Sequence, residues 1–277
     1  MATLRFGISP CPNDTFAFHG LLTGASDRHG LDLELVLLDV QELNERLACG
    51  ELAAGKASFA QALRMTRAFG VLPVGAAIGF GVGPLLIAKG PGAPPDAKSR
   101  ILAPGEGTTA TLLMRLIHPE LKRLEQVHFA RIMPAVASGA AEFGVVIHEG
   151  RFTYRRLGLH CVEDLGATWE ARTRQPLPLG GLLAKRELGA DVHRRLAAAI
   201  GASLDHARAH RDEALATMRA HAQELDDAAI WQHVDLYVNE LTDELGLRGA
   251  ATLAALERAA RAAAQIPAGA PPLEVLR

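Results

Sequence analysis

Short apolar runs alternate with amphipathic stretches through the first two thirds of the chain. The run at 4–9 (LRFGIS) reads as a strand, and Pro10, Pro12 and Asn13 break it into a turn. A helix over 15–22 follows, with Asn13 or Asp14 placed to cap it. The alternating LDLELVLLDV at 31–40 predicts a strand, and 41–49 a helix stopped by Gly50. A short strand is expected at 57–59, a helix at 61–69, and apolar strands within 71–78 and 82–88. KGPGAPPDAKS at 89–99 then interrupts the pattern with Gly and Pro, as a loop or crossing would.

A second series begins at residue 100. Strands are expected at 100–103, 127–130, 143–147 and 160–164, and helices at 110–117 and 132–137. PLPLGGLLAK at 176–185 reads as a return crossing. Residues 186–265 are Ala-rich and helical in pattern, with breaks near His210, Leu225 and Leu245, before the tail IPAGAPPLEV. Strands alternating with helices are the signature of parallel βαβ units. The expectation is therefore an α/β protein of two lobes. Residues 1–89 with 178–277 would form the first lobe, and 90–177 an inserted second one. Two crossings make a hinge with a cleft between the lobes, where small ligands bind by preference.

Composition narrows this picture. The chain has 277 residues, 49% of them apolar, enough for a large core. Its formal charge of -2 offers no basic excess for nucleic acid, and the basic residues at 203–219 are interleaved with acids and alanines. Cys11, Cys49 and Cys161 are far apart, which argues against a disulfide framework. There is no CxxC and no HExxH, and His206 with His210 has no evident third ligand in sequence, so no metal is expected. The N-terminal stretch lacks the apolar run of a secretory signal, and no stretch approaches the roughly 20 apolar residues of a membrane helix. A soluble protein of a reducing cytoplasm, without a membrane partner, is the expectation. Oligomeric state is not legible.

The polar clusters all follow expected strands. VVIHEGRFTY at 145–154 leaves a branched apolar strand with His148, Glu149, Arg151, Thr153 and Tyr154 in quick succession. His148 reads either as a general base or as a hydrogen-bonded structural histidine. Glu149 reads as a partner for Arg151 or solvent, and Arg151 as a holder of a carboxylate or, foremost, one end of a structural salt bridge. PGEGTT at 104–109 can turn tightly and start a helix at Thr108 and Thr109, either a simple cap or a seat for a carboxylate. Ser58, in KASF, lacks a nucleophile context but suits ligand binding. Asp14 reads foremost as a helix cap, His19 as packed, and Cys11 as a loop thiol with no base nearby. GFGVGP at 79–84 has the wrong spacing for a dinucleotide loop and suggests freedom near the hinge.

SPCPNDTFAFHGLL, GKASFAQAL, GFGVGP, PGEGTTATLL, RIMPAVASGAAEFGVVIHEGRFTY and RAHAQELDDAAIWQHVDLYVNE together resemble the 1,4-dihydroxy-6-naphthoate synthase family of the futalosine route to menaquinone. The resemblance implies a periplasmic-binding-protein-like (type II) fold with an interdomain cleft. It implies a lyase that converts cyclic dehypoxanthinyl futalosine, a small anionic substrate, to 1,4-dihydroxy-6-naphthoate with loss of a sugar-derived fragment. His148 would be its base. Lys56, Ala57, Ser58, Thr108 and Thr109 would touch substrate, with Asp14 beside them. Neither metal nor redox cofactor would be required. Two other readings share the scaffold: a receptor for a small anion, and a chorismate dehydratase.

Overall fold

The computed structural model describes residues 3–222 and 226–277. The helix break expected near Leu225 lies outside these residues. The strands, in chain order, are β1 (Leu4–Ile8), β2 (Leu33–Leu37), β3 (Ala54–Ser58), β4 (Phe69–Val71), β5 (Ala77–Gly79), β6 (Leu85–Ala88), β7 (Ile101–Ala103), β8 (Leu124–Gln126), β9 (Phe143–Val146), β10 (His160–Asp164) and β11 (Leu177–Lys185). They form two sheets. The first runs β2-β1-β3-β11-β4, with β5 also paired to β11, and the second runs β10-β6-β9-β7-β8.

Parallel pairs such as β1 with β2 and β7 with β9 confirm the βαβ expectation. In each sheet the exceptions are strands next to a crossing. β6 and β10 pair antiparallel, as do β3 and β11. The strand β6 was expected with the first series, yet it pairs with β9 in the second sheet. The chain therefore passes between sheets at residues 80–84, ahead of the Gly/Pro-rich segment, which instead leads from β6 to β7. Composition marked the loop that is richest in breakers, and the shorter GFGVGP carries the crossing.

Gly83 shows why that crossing is narrow. A Cβ there would lie 2.2 Å from Gly166 Cα, so backbone meets backbone with no room for a side chain. Other differences are local. The strand expected at 127–130 ends at Gln126, and Phe129–Arg131 is a 3₁₀ turn capped by His128. The helix expected over 61–69 is only the short turn Phe59–Ala62. The first helix splits into Pro12–Ala17 and His19–Thr23.

Burial of the apolar face holds this frame. Phe6 and Ile8 on β1 are fully buried against Phe16 and Phe18, with the Phe6 and Phe18 rings 5.4 Å apart. Each such side chain contributes about 1.5–3 kcal/mol relative to exposure. The long C-terminal helices Gly189–Ala209, Arg211–His221 and Asp227–Tyr237 pack over the same side of the first sheet. No helix among the described residues is long and apolar enough to cross a membrane.

Candidate active site

The carboxyl ends of β1, β3, β7 and β9 deliver their polar residues to one cavity. Its lining includes Ser9, Asp14, Lys56, Ser58, Thr108, His148, Arg151, His233 and Tyr237. Every site residue expected from sequence reaches this cavity, Ala57 and Thr109 included.

Asp14 does not cap its helix. Cys11 occupies the cap position, because Pro12 starts the helix one turn early. Asp14 is 4% exposed, and its carboxylate gathers three donors. Lys56 Nζ donates to it at 2.6 Å, Ser9 Oγ at 2.6 Å and Asn13 Nδ2 at 2.9 Å. Lys56 also reaches the Gly75 carbonyl at 3.4 Å. A buried ion pair is tolerated only with such saturation.

Ser58 ends β3. Its amide donates to Asn44 Oδ1 at 2.9 Å, and Asn44 Nδ2 donates back to its Oγ at 3.3 Å. With Oγ accepting from Asn44, the hydroxyl proton is left to be donated into the cavity. Across from it, Thr108 caps the helix Thr109–Ile117. Its Oγ1 accepts from the Thr111 amide and donates to the Gly105 carbonyl at 2.7 Å. Thr109 Oγ1 donates to the Leu179 carbonyl at 2.6 Å. Both threonine hydroxyls are thus engaged within the protein, and Thr108 is the helix cap that the sequence allowed. What this corner offers an anion is the N–H groups of Thr109 and Ala110, which the first helical turn cannot pair.

His148 leaves β9 with φ at +53°, the left-handed region, rare for a residue with a Cβ. Its half-buried ring meets Phe129 edge-on, with centroids 5.3 Å apart. Cys11 Sγ lies 3.2 Å from Nδ1, so the loop thiol has a base beside it after all. Burial lowers the imidazole pKa, but charge on Cys11, the Cys11 hydrogen bond, Glu149 and Asp39 outweigh it and bring it to about 9.

Arg151 donates to the Gly83 carbonyl at 2.6 Å and to Asp164 at 2.7 Å. It is the expected structural bridge, but its partner is Asp164, not Glu149. It ties the crossing at Gly83 to β10.

Sequence reasoning missed His233 and Tyr237. One helical turn apart on Asp227–Tyr237, they share a face that lines the cavity. His233 Nε2 lies 2.9 Å from Asn13 Oδ1. Burial first, then the His148 and Lys56 charges, push its pKa down to about 3. Tyr237 donates to the Val82 carbonyl, and burial raises its phenol pKa. The i, i+4 spacing in HVDLY was the available signal.

A family model described as menaquinone biosynthesis matches residues 4–262. A 1,4-dihydroxy-6-naphthoate synthase of Thermus thermophilus is 46% identical over 256 residues, covering 92% of this chain and 93% of that one. One from Streptomyces coelicolor is 39% identical over 279 residues, covering 97% and 96%. Among solved structures, protein AF1704 of Archaeoglobus fulgidus superposes with a TM-score of 0.88 at 30% identity, over 94% of this chain and 97% of that one. The periplasmic aliphatic sulphonate binding protein of Escherichia coli shares the fold at a TM-score of 0.61 and 15% identity, over 99% and 90%. The fold is thus periplasmic-binding-protein-like. With nearly the whole chain matched by the family model and by two synthases, this protein belongs to the menaquinone biosynthesis family that includes the 1,4-dihydroxy-6-naphthoate synthases.

Proposed function

We propose that this enzyme converts cyclic dehypoxanthinyl futalosine to 1,4-dihydroxy-6-naphthoate in the cytoplasm, as a carbon–carbon lyase with His148 as general base. The observation that carries the reading is His148 itself. It is lodged by Cys11 at the wall of a cavity whose opposite side offers Ser58 and a helix start.

For Nε2 to accept a proton, Nδ1 must hold the ring's other hydrogen and Cys11 Sγ must accept it. The Cys11–His148 contact suits that tautomer. His148 then removes a substrate proton, electrons move toward a carbonyl, and the bond to the sugar remnant breaks. Aromatisation of the second ring drives the step. The substrate carboxylate sits on the Thr109 and Ala110 amides, and the Ser58 hydroxyl donates from the other side. Asp14 acts through Lys56, fixing its ammonium at the cavity wall. The two sheets with their helices serve as the lobes, and their closure excludes water and aligns the base.

Product identification tests this. Wild-type protein incubated with cyclic dehypoxanthinyl futalosine should yield 1,4-dihydroxy-6-naphthoate. His148→Ala should lose roughly 10²–10⁴ in rate with its circular dichroism unchanged. Ligand recovered unchanged from the wild type, or a variant as fast as the wild type, overturns the proposal.

A further inference from the structure

Three histidines stack on the outer helices of the first sheet, none of them lining the cavity. His19 opens the helix His19–Thr23, and His206 lies in the last turn of Gly189–Ala209. Their rings are 5.4 Å apart and nearly parallel, and His210 stacks on His206 at 4.1 Å. In sequence, His206 and His210 have no evident third ligand. The fold brings two ligand-bearing residues to His206: His19, and Glu213 from the helix Arg211–His221.

His19 is 1% exposed. Its Nδ1 lies 2.8 Å from Thr217 Oγ1, while its Nε2 is buried with no hydrogen-bond partner among the described residues. His206 Nε2 is buried and unpartnered in the same way. Buried polar nitrogens are nearly always satisfied, so two orphans side by side call for a ligand. One donor atom each of His19, His206 and Glu213 lies within 4.8 Å of the others.

We infer that His19, His206 and Glu213 form a binding site for a divalent transition-metal ion, with zinc the best match. Two neutral imidazoles and a carboxylate are a common zinc set, with water in the fourth position. Calcium and magnesium prefer all-oxygen shells and fit poorly. Thr217 accepts from Nδ1–H, which leaves the Nε2 lone pair of His19 free, as an outer partner of a metal-bound histidine does. The exposed Glu213 side chain can rotate to close the set. The bound ion would join the first helices, which carry Asp14, to the C-terminal helices that cover the first sheet.

The test is metal titration of the full chain after stripping with EDTA, using zinc chloride and, for its spectrum, cobalt chloride. One ion per chain is expected, with cobalt showing visible bands of nitrogen and oxygen ligation and no thiolate charge-transfer band. His206→Gln and Glu213→Gln should each weaken binding about tenfold or more while circular dichroism stays unchanged. Cys11→Ala should leave binding as it was. Absence of stoichiometric binding at micromolar metal overturns the inference, as does binding that survives both variants. A thiolate band lost in Cys11→Ala also overturns it, placing the ion at Cys11, His148 and Glu149 instead.

Discussion

Cys11 Sγ and His148 Nδ1 meet at 3.2 Å across 137 residues of chain, and that contact decides what the imidazole's other nitrogen can do. With the sulfur accepting from Nδ1–H, Nε2 is the nitrogen left to accept a proton. Burial lowers the His148 pKa, but Cys11, with Glu149 and Asp39, outweighs it and brings it to about 9, so the free base appears only as pH rises toward that value. kcat/KM should therefore climb through neutral pH and level off above about 9. Cys11→Ala removes the leading cause of the upward shift and leaves the burial that opposes it. Its rising limb should move to lower pH. Initial rates between pH 6 and 10.5 check both; an unmoved limb would uncouple the thiol from the base.

The backbone at His148 makes a separate prediction. At φ +53°, Asn is tolerated and a β-branched residue is strained. His148→Val should lose about 1–3 kcal/mol of unfolding free energy, whereas His148→Asn should stay close to the wild type. Urea titrations compare them. Equal stabilities would mean that the loop relaxes freely.

Lys56 and Asp14 are buried together, with side-chain exposures of 8% and 5%. Removing the cation strands a buried carboxylate. Lys56→Met should cost roughly 3–5 kcal/mol, and Lys56→Met combined with Asp14→Leu should recover part of that. Denaturant midpoints read the difference, and a double variant no better than the single one would contradict it.

His233 links stability to pH. Its pKa falls from 6.5 in the unfolded chain to about 3 in the folded one, so the unfolded state binds the proton first. The stabilisation is complete above pH 6.5 and erodes as pH drops from 6.5 toward 3, by about 1.4 kcal/mol per unit. His233→Gln should flatten the slope in that window by about one proton. An unchanged slope would show that this imidazole titrates alike in both states.

Much of the frame was legible because it is local. Strand runs, breakers and helical periods act within about a dozen residues, so both βα series read correctly in outline. What failed depended on partners far away in sequence. β6 looked like part of the first series because nothing near it says that it pairs with β9. Asp14 resembled a cap until Lys56 claimed it. Cys11 seemed idle because its base is 137 residues distant. The carbonyls that take the Thr108 and Thr109 hydroxyls, those of Gly105 and Leu179, were not legible because loop closure and β11 set them.

The last strand of the first sheet has a consequence for synthesis. β11 lies between β3 and β4, which the ribosome makes more than a hundred residues earlier. Until Lys185 has emerged, β3 and β4 hold open edges with no neighbour between them. The second sheet, contiguous from β6 to β10, can fold while those edges wait. A nascent chain arrested before β11 should thus expose sticky strand edges that the finished molecule hides.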